Sequence, residues 1–211
     1  MAEQIEPNKN SQENGKPIAV LLIGRSGSGK GTQAKLLIEY MEKKGYPDIL
    51  YSYTGNKIRE LIKEENKTYS AELSRQVMKA GLRHPAFIAV WAWSDNFIKN
   101  MKKGVSVIMD GSPRGLLEAE AIDEALGFYG INEIKPVFID TGREWSTKRL
   151  LGRGRSDDTE KVITERLDYF DKMVLPVVEN YEKNGRIIRI NGEQSIEGVH
   201  KEMVEKIFDI K

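Results

Sequence analysis

Apolar positions along the chain alternate between two patterns, and the alternation implies the fold class. Short, nearly continuous apolar runs occur at Ile18–Ile23, Ile49–Tyr53, 105–109, 137–139 and 187–190. Runs of this kind suit strands covered on both faces. Longer stretches between them carry apolar residues at helical spacing. Ala34, Leu37, Ile38 and Met41 mark one, predicting a helix over 32–44 that stops at Gly45. Another is predicted to begin with Asp158 as its N-cap and to carry Val162, Ile163, Arg166, Leu167 and Phe170. Pro176 is expected to open a further helix ending near Gly185. Strands alternating with helices imply an α/β fold with parallel strands joined by right-handed crossovers. Residues 1–16 are polar and offer almost nothing to bury, so a disordered N-terminal tail is expected there. There is no internal repeat.

Bulk composition narrows the classes. The 211 residues are enough for one domain with small inserted lobes. The absence of cysteine excludes disulfides and thiolate metal sites and fits a reducing compartment. A net charge of +1 with 31% charged residues leaves no global basic field for nucleic acid. Any anionic ligand must be met by locally placed charges. No apolar run approaches the roughly 20 residues needed to cross a bilayer, and the start is polar, so no export signal is expected. The expectation is a cytoplasmic, monomeric protein with neither nucleic acid nor membrane as partner. His84 and His200 are the only histidines, and no zinc site is expected from them.

The chemistry begins after the first strand. Residues 24–32 read Gly-Arg-Ser-Gly-Ser-Gly-Lys-Gly-Thr and lead into the first helix. Strand, glycine-rich loop and helix in that order is the setting of a phosphate-binding P-loop. Glycines let successive N–H groups turn inward, and the helix N-terminus adds partial positive charge. Gly27, Ser28, Gly29, Lys30, Gly31 and Thr32 are the candidate cradle, with Lys30 reaching the β- and γ-phosphates. The competing reading is a glycine turn with a surface lysine. A standard P-loop has Ser or Thr directly after the lysine; here Gly31 stands there and Thr32 follows. Asp110, expected at the C-terminal end of a strand beside this loop, could hold Mg²⁺ through its waters, or merely open the turn before Pro113.

Residues 27–33, Gly-Ser-Gly-Lys-Gly-Thr-Gln, resemble the adenylate kinase family closely. Asp110-Gly111-Ser112-Pro113-Arg114 resembles that family's Asp-Gly-Phe-Pro-Arg, and Tyr51 to Arg59 its acceptor-site strand and helix start. Arg149, Arg153, Arg155 and Arg166 match its donor-side arginines. The resemblance runs from about Ile18 to Lys206. It implies a three-layer P-loop NTPase fold with a five-stranded parallel sheet and helices on both faces. Residues 17–211 would form the kinase domain, with a helical acceptor-binding lobe at 54–91 and a vestigial lid at 152–156. By the same resemblance Thr54 would contact the acceptor base, and Arg59 and Arg114 its phosphate, with Gly111, Leu82, Arg83, His84 and Glu118 also in the acceptor site. Arg149 and Gln194 would meet the donor nucleotide, Arg153 its phosphates, and Arg155 and Arg166 the transferred group and the acceptor phosphate. The implied reaction is reversible transfer of the ATP γ-phosphoryl group, as Mg·ATP, to AMP. Its catalytic set would be Lys30, Arg114, Arg153, Arg155 and Arg166. Such a reaction needs no general base, because the acceptor phosphate is already anionic; positioning and charge neutralisation dominate.

The chain departs from the pattern in several places. Only Gly154 separates Arg153 from Arg155, where the family has its lid. A shortened lid implies easier product release and some leak of ATP to water. Glu118 stands where the family usually has a Gln that recognises adenine; a carboxylate accepts from an exocyclic amine, which adenine and cytosine carry and uracil lacks. Residues 81–85, Gly-Leu-Arg-His-Pro, replace a more apolar run. Trp91 and Trp93 follow, as core packing or as a base-stacking surface. Asn56 replaces a common Asp, and Ser112 a Phe. A CMP kinase, a non-catalytic nucleotide-binding module and a plain ATPase are the alternative functions. Helical spacing also allows Asp158 and Arg166 to be a structural ion pair.

Overall fold

The computed structural model describes residues 16–46, 48–154 and 158–210. Its centre is a five-stranded sheet in the order β2-β3-β1-β4-β5, with every pairing parallel. The strands are β1 (Ile18–Ile23), β2 (Ile49–Tyr53), β3 (Ser106–Asp110), β4 (Glu133–Asp140) and β5 (Ile188–Asn191). Every residue of β1 is buried. Its alternate side chains feed two cores, as the period of a strand requires. Ala19, Leu21 and Ile23 pack with Trp93, Phe97, Ile122, Phe138, Phe170 and Tyr181. Ile18, Val20 and Leu22 pack with Leu37, Met41, Ile190 and Met203.

The helices are α1 (Lys30–Lys43), α2 (Thr54–Leu61), α3 (Tyr69–Lys79), α4 (Ala86–Asn100), α5 (Leu116–Phe128), α6 (Arg143–Arg153), α7 (Glu160–Tyr169), α8 (Leu175–Lys183) and α9 (Ile196–Ile207). This is the three-layer α/β arrangement expected. α2 and α3 fall within the span 54–91 expected for the acceptor lobe, and α4 starts there but continues past Trp91, so that Trp93 and Phe97 belong to the main core. Trp91 stays 38% exposed beside Lys57, so the two tryptophans separate by face.

Three boundaries around β4, α7 and α8 differ from expectation, each for a local reason. β4 begins at Glu133, four residues before its apolar run, because 133–136 pair with Ile18 to Leu21 of β1. Pro136 is tolerated because β5 pairs only from Val137 onward, leaving β4 one free side there. The N-cap of α7 is Thr159, whose Oγ1 accepts from Val162 N; the Asp158 carboxylate is engaged elsewhere. Finally, α7 and α8 are one continuous rod joined by a π-helical turn at Phe170–Val174. Pro176 cannot donate a backbone hydrogen bond and crowds the preceding turn, and the wider turn just before it takes up the mismatch. Gly185, at φ 65°, ends the rod as expected.

Residues 1–15 of the predicted tail lie outside the described residues; Lys16 is exposed. Of the predicted lid, Gly152 and Arg153 form the last turn of α6 and Gly154 closes it at φ 66°. Arg155 and Ser156 lie outside the described residues.

Candidate active site

The site lies at the C-terminal ends of β1, β3 and β2, where an α/β sheet presents its loops. The loop after β1 turns at Gly27 (φ 86°) and Gly29 (φ 92°), and α1 starts at Lys30, two residues earlier than its apolar face suggests. Lys30 Nζ donates to Gly24 O and Arg25 O, both at 2.8 Å, and to Ser28 Oγ at 3.4 Å. The cradle thus grips its own lysine. Burial lowers the Lys30 pKa to about 8; nearby Asp110 opposes that shift, while Arg114 and Arg153 reinforce it.

Gly31 has a local reason. A Cβ there would meet Asp110 Oδ2 at 3.2 Å, so the carboxylate occupies the space a Ser or Thr would need. Asp110 is 4% exposed and its Oδ2 accepts from Tyr51 Oη at 2.9 Å. Burial, with Asp110 next to it, holds the Tyr51 phenol well above its usual pKa, so the phenol remains a donor. Tyr51 opens the segment that resembles the acceptor-site strand, but its contact with Asp110 depends on the pairing of β2 with β3 and has no signal in the sequence. Thr32 is exposed.

Among the residues expected at the acceptor site, buried Thr54 shares a hydrogen bond of 2.8 Å between hydroxyls with buried Ser112. That explains Ser112: it ties the start of α2 to the turn after β3. Arg59 Nη2 donates to Asn56 Oδ1 at 2.7 Å, and its guanidinium lies 5.0 Å from the Tyr53 ring centroid. Arg114 Nε donates to Gly111 O at 2.6 Å, and its backbone N donates to Glu118 Oε2 at 2.8 Å. Glu118 is fully buried in the first turn of α5, a capping position, with Oε1 lacking a partner among the described residues. Arg83 Nε and His84 Nε2 are likewise buried without partners. Arg83 lies toward Gly115 and Tyr169, and Leu82 is 55% exposed. Tyr169, a residue without a motif, donates to Arg114 O at 3.3 Å; burial raises its pKa to about 12. Burial also lowers the pKa of His84.

Of the residues expected on the donor side, Arg153 and Arg166 meet on one carboxylate. Asp158, 1% exposed, accepts from Arg153 Nε and Nη2 at 2.8 Å and from Arg166 Nη1 at 2.9 Å. The Asp158–Arg166 pairing read as one possibility in the sequence is present, with Arg153 as an unforeseen third member. Arg149 is exposed over the Trp145 ring at 5.2 Å. Gln194 Nε2 donates to Glu202 Oε2 at 2.6 Å and Asn191 O at 2.9 Å, which commits its amide nitrogen to the protein. Arg155 lies outside the described residues.

The family model for adenylate kinase matches residues 22–186, which include both glycine motifs and Arg166. The chain belongs to the adenylate kinase family. Among its relatives, an adenylate kinase of Kocuria rhizophila is 34% identical over 187 residues, covering 85% of this chain and 93% of that protein. Adenylate kinase isoenzyme 1 of Sus scrofa is 27% identical over 198 residues, covering 91% and 95%. UMP-CMP kinase 3 of Arabidopsis thaliana is 31% identical over 206 residues, covering 92% and 90%. The family membership accounts for the five-stranded P-loop fold. No described helix is long and apolar enough to cross a membrane.

Proposed function

We propose that the protein transfers the γ-phosphoryl group of Mg·ATP reversibly to AMP, giving two ADP. The observation that carries this reading is the convergence on Lys30. Arg114 from the turn after β3 and Arg153 from the end of α6 both lie close enough to add to the lowering of its pKa by burial, against the opposing effect of Asp110. Cations brought from three separate segments suit a reaction in which two polyphosphates meet, whereas simple nucleotide binding needs only the loop.

In this reading Lys30 leaves the loop carbonyls for the donor phosphates, and Arg114 and Arg59 hold the acceptor phosphate. Arg153, Arg155 and Arg166 neutralise charge on the transferred group, with Asp158 orienting two of them. Asp110 fits magnesium bound with the nucleotide: it is buried, anionic and already oriented by Tyr51, and would hold the ion's waters. The ion offsets phosphate charge when it arrives with ATP. The acceptor lobe comprises 54–91, and the shortened lid 152–156 admits water more readily than a long one.

A second reading, CMP as acceptor, is kept in play by Glu118. Its buried Oε1, without a partner among the described residues, can accept from the exocyclic amine of adenine or of cytosine alike. The test is ADP formation from Mg·ATP across AMP, CMP, UMP, GMP and dTMP, with phosphate release followed in parallel. Turnover with AMP is expected to exceed that with UMP and GMP; faster use of CMP selects the second reading, and no transfer to any acceptor overturns both. Negligible phosphate release without acceptor would remove the leak. Glu118→Gln keeps an oxygen for Arg114 N but puts an N–H donor where Oε1 stood, facing the exocyclic amine with a donor. It is expected to lower kcat/KM for AMP and CMP alike by about tenfold, the worth of one lost hydrogen bond to a charged acceptor, as the same acceptor panel would measure.

A further inference from the structure

The glycine-rich loop has one long side chain that neither its motif nor the family resemblance employs. Arg25 Nη1 donates to Thr141 O and Nη2 to Asp171 Oδ1, each at 2.7 Å. Its guanidinium lies 4.7 Å from the Phe170 ring centroid, and the side chain is only 13% exposed. Asp171 Oδ2 accepts from Arg143 Nη1 at 2.6 Å, and Arg143 Nη2 donates to Asp168 Oδ1 at 2.6 Å. Thr141 follows β4, Arg143 opens α6, and Phe170 and Asp171 lie in the π-helical turn. One loop residue is therefore fastened to three elements.

The fastening bears on the site from both ends. The carbonyl of Arg25 is one of the groups that fix Lys30 Nζ. The π-helical turn continues directly from α7, the helix that carries Arg166. α6, held at its start by Arg143, ends in Arg153, whose partner Asp158 also holds Arg166. We infer that Arg25, Asp171 and Arg143 form a positioning clasp that keeps the phosphate loop and its Lys30 in register with Arg153 and Arg166. Beside the Lys30 contacts to Gly24 O and Arg25 O and the close approach of Gly27 to α6, Arg25 is the loop side chain that reaches the far end of α7. A solvated ion pair would matter little. The Arg25 side chain is mostly buried, forked between Thr141 O and Asp171 and stacked on the Phe170 ring, the geometry in which an arginine fixes position as well as charge; the Arg143 arm is more exposed and contributes less. In-line transfer tolerates little misplacement, so an alignment contact acts on rate without touching either nucleotide.

The inference rests on the phosphotransfer reading above, and its test separates the two. Arg25→Ala and Asp171→Asn are each expected to lower kcat for ADP formation about tenfold, with KM for AMP within about twofold of the parent. The double variant is expected to be no slower than the slower single, because the two residues act as one unit. Arg25→Lys, which keeps the charge and loses the fork, should recover only part of the rate. Amide exchange at residues 24–29 is expected to speed up in both single variants. Single variants with parental rates and unchanged exchange would overturn the clasp, as would losses that multiply in the double variant. If the parent transfers no phosphoryl group, the functional reading fails, and amide exchange alone decides the clasp.

Discussion

Replacing Lys30 by Met is expected to lower the rate of ADP formation about a thousandfold, close to 4 kcal/mol of transition-state stabilisation. The size follows from what the methyl-capped chain cannot do. Lys30 Nζ is the charged donor at the centre of the cradle, within reach of Gly24 O, Arg25 O and Ser28 Oγ. Met fills the same volume, so the loop loses a charge without gaining a cavity. Steady-state kinetics with a thermal melt on the same preparation checks this. A variant that melts as the parent does and still turns over within about tenfold would refute the assignment.

The same lysine gives the protein an alkaline limit. Below pH 8 Lys30 is charged and ready for phosphate; above it the free protein loses that proton, because burial has lowered the pKa to about 8. A bound polyphosphate favours the charged form. ATP binding therefore takes up a proton at high pH, and affinity falls about tenfold per pH unit above 8. Tyr51 and Tyr169, whose pKa values burial raises, remain protonated as that fall begins. ATP titrations between pH 7 and 10 measure the slope, and Lys30→Met should flatten it. A parental affinity independent of pH in this window would show that Lys30 does not give up its proton near pH 8 in the free protein.

The second large effect is expected from Gly27→Val. At φ 86° the residue sits in left-handed space, and a Cβ there would lie 2.8 Å from Ser146 O and 3.1 Å from Leu150 Cγ. Neither neighbour can retreat: Ser146 and Leu150 are fully buried in α6. The loop must move instead, taking its inward N–H groups with it. ATP affinity is expected to fall at least about a hundredfold, since several cradle contacts go together. The backbone strain alone, about 1–2 kcal/mol, should lower the melting midpoint by roughly 2–8 °C. Isothermal titration and a melt measure both. Gly152, where a Cβ would meet nothing within 4 Å, is the comparison site. Equal losses from Gly152→Val would point to a general loss of packing.

How much of this was legible in the sequence depended on how local the cause was. β1 and the cradle were readable because apolar continuity, glycine spacing and the lysine all lie within one short segment. The start of β4 was hidden because Glu133 and Lys135 are polar, and only their register beside β1 makes them strand. The continuity of α7 with α8 was hidden because Pro176 ordinarily breaks a helix, and nothing in the residues announces a π-helical turn before it. Asp158 read as a cap on adjacency alone; its second arginine comes from α6, and a one-dimensional pattern cannot show two helices meeting. Glu118 read as a base contact, and the structure adds a capping bond to Arg114 N that depends on the turn geometry between them. Arg25 had no visible purpose without Asp171, 146 residues away.

The position of β1 also has a consequence while the protein is being made. β1 leaves the ribosome before the other strands, yet it belongs between β3 and β4, and Ser106, which accepts from Ile18 N, comes 88 residues later. At about 5–20 residues per second, six consecutive core residues wait roughly 4–18 s for a neighbour. Such a segment, apolar, extended and uncharged, is the kind that joins other chains when left exposed. The yield of folded protein should therefore follow translation speed between β1 and β3, falling when that stretch is slowed and recovering when a chaperone shelters the nascent chain.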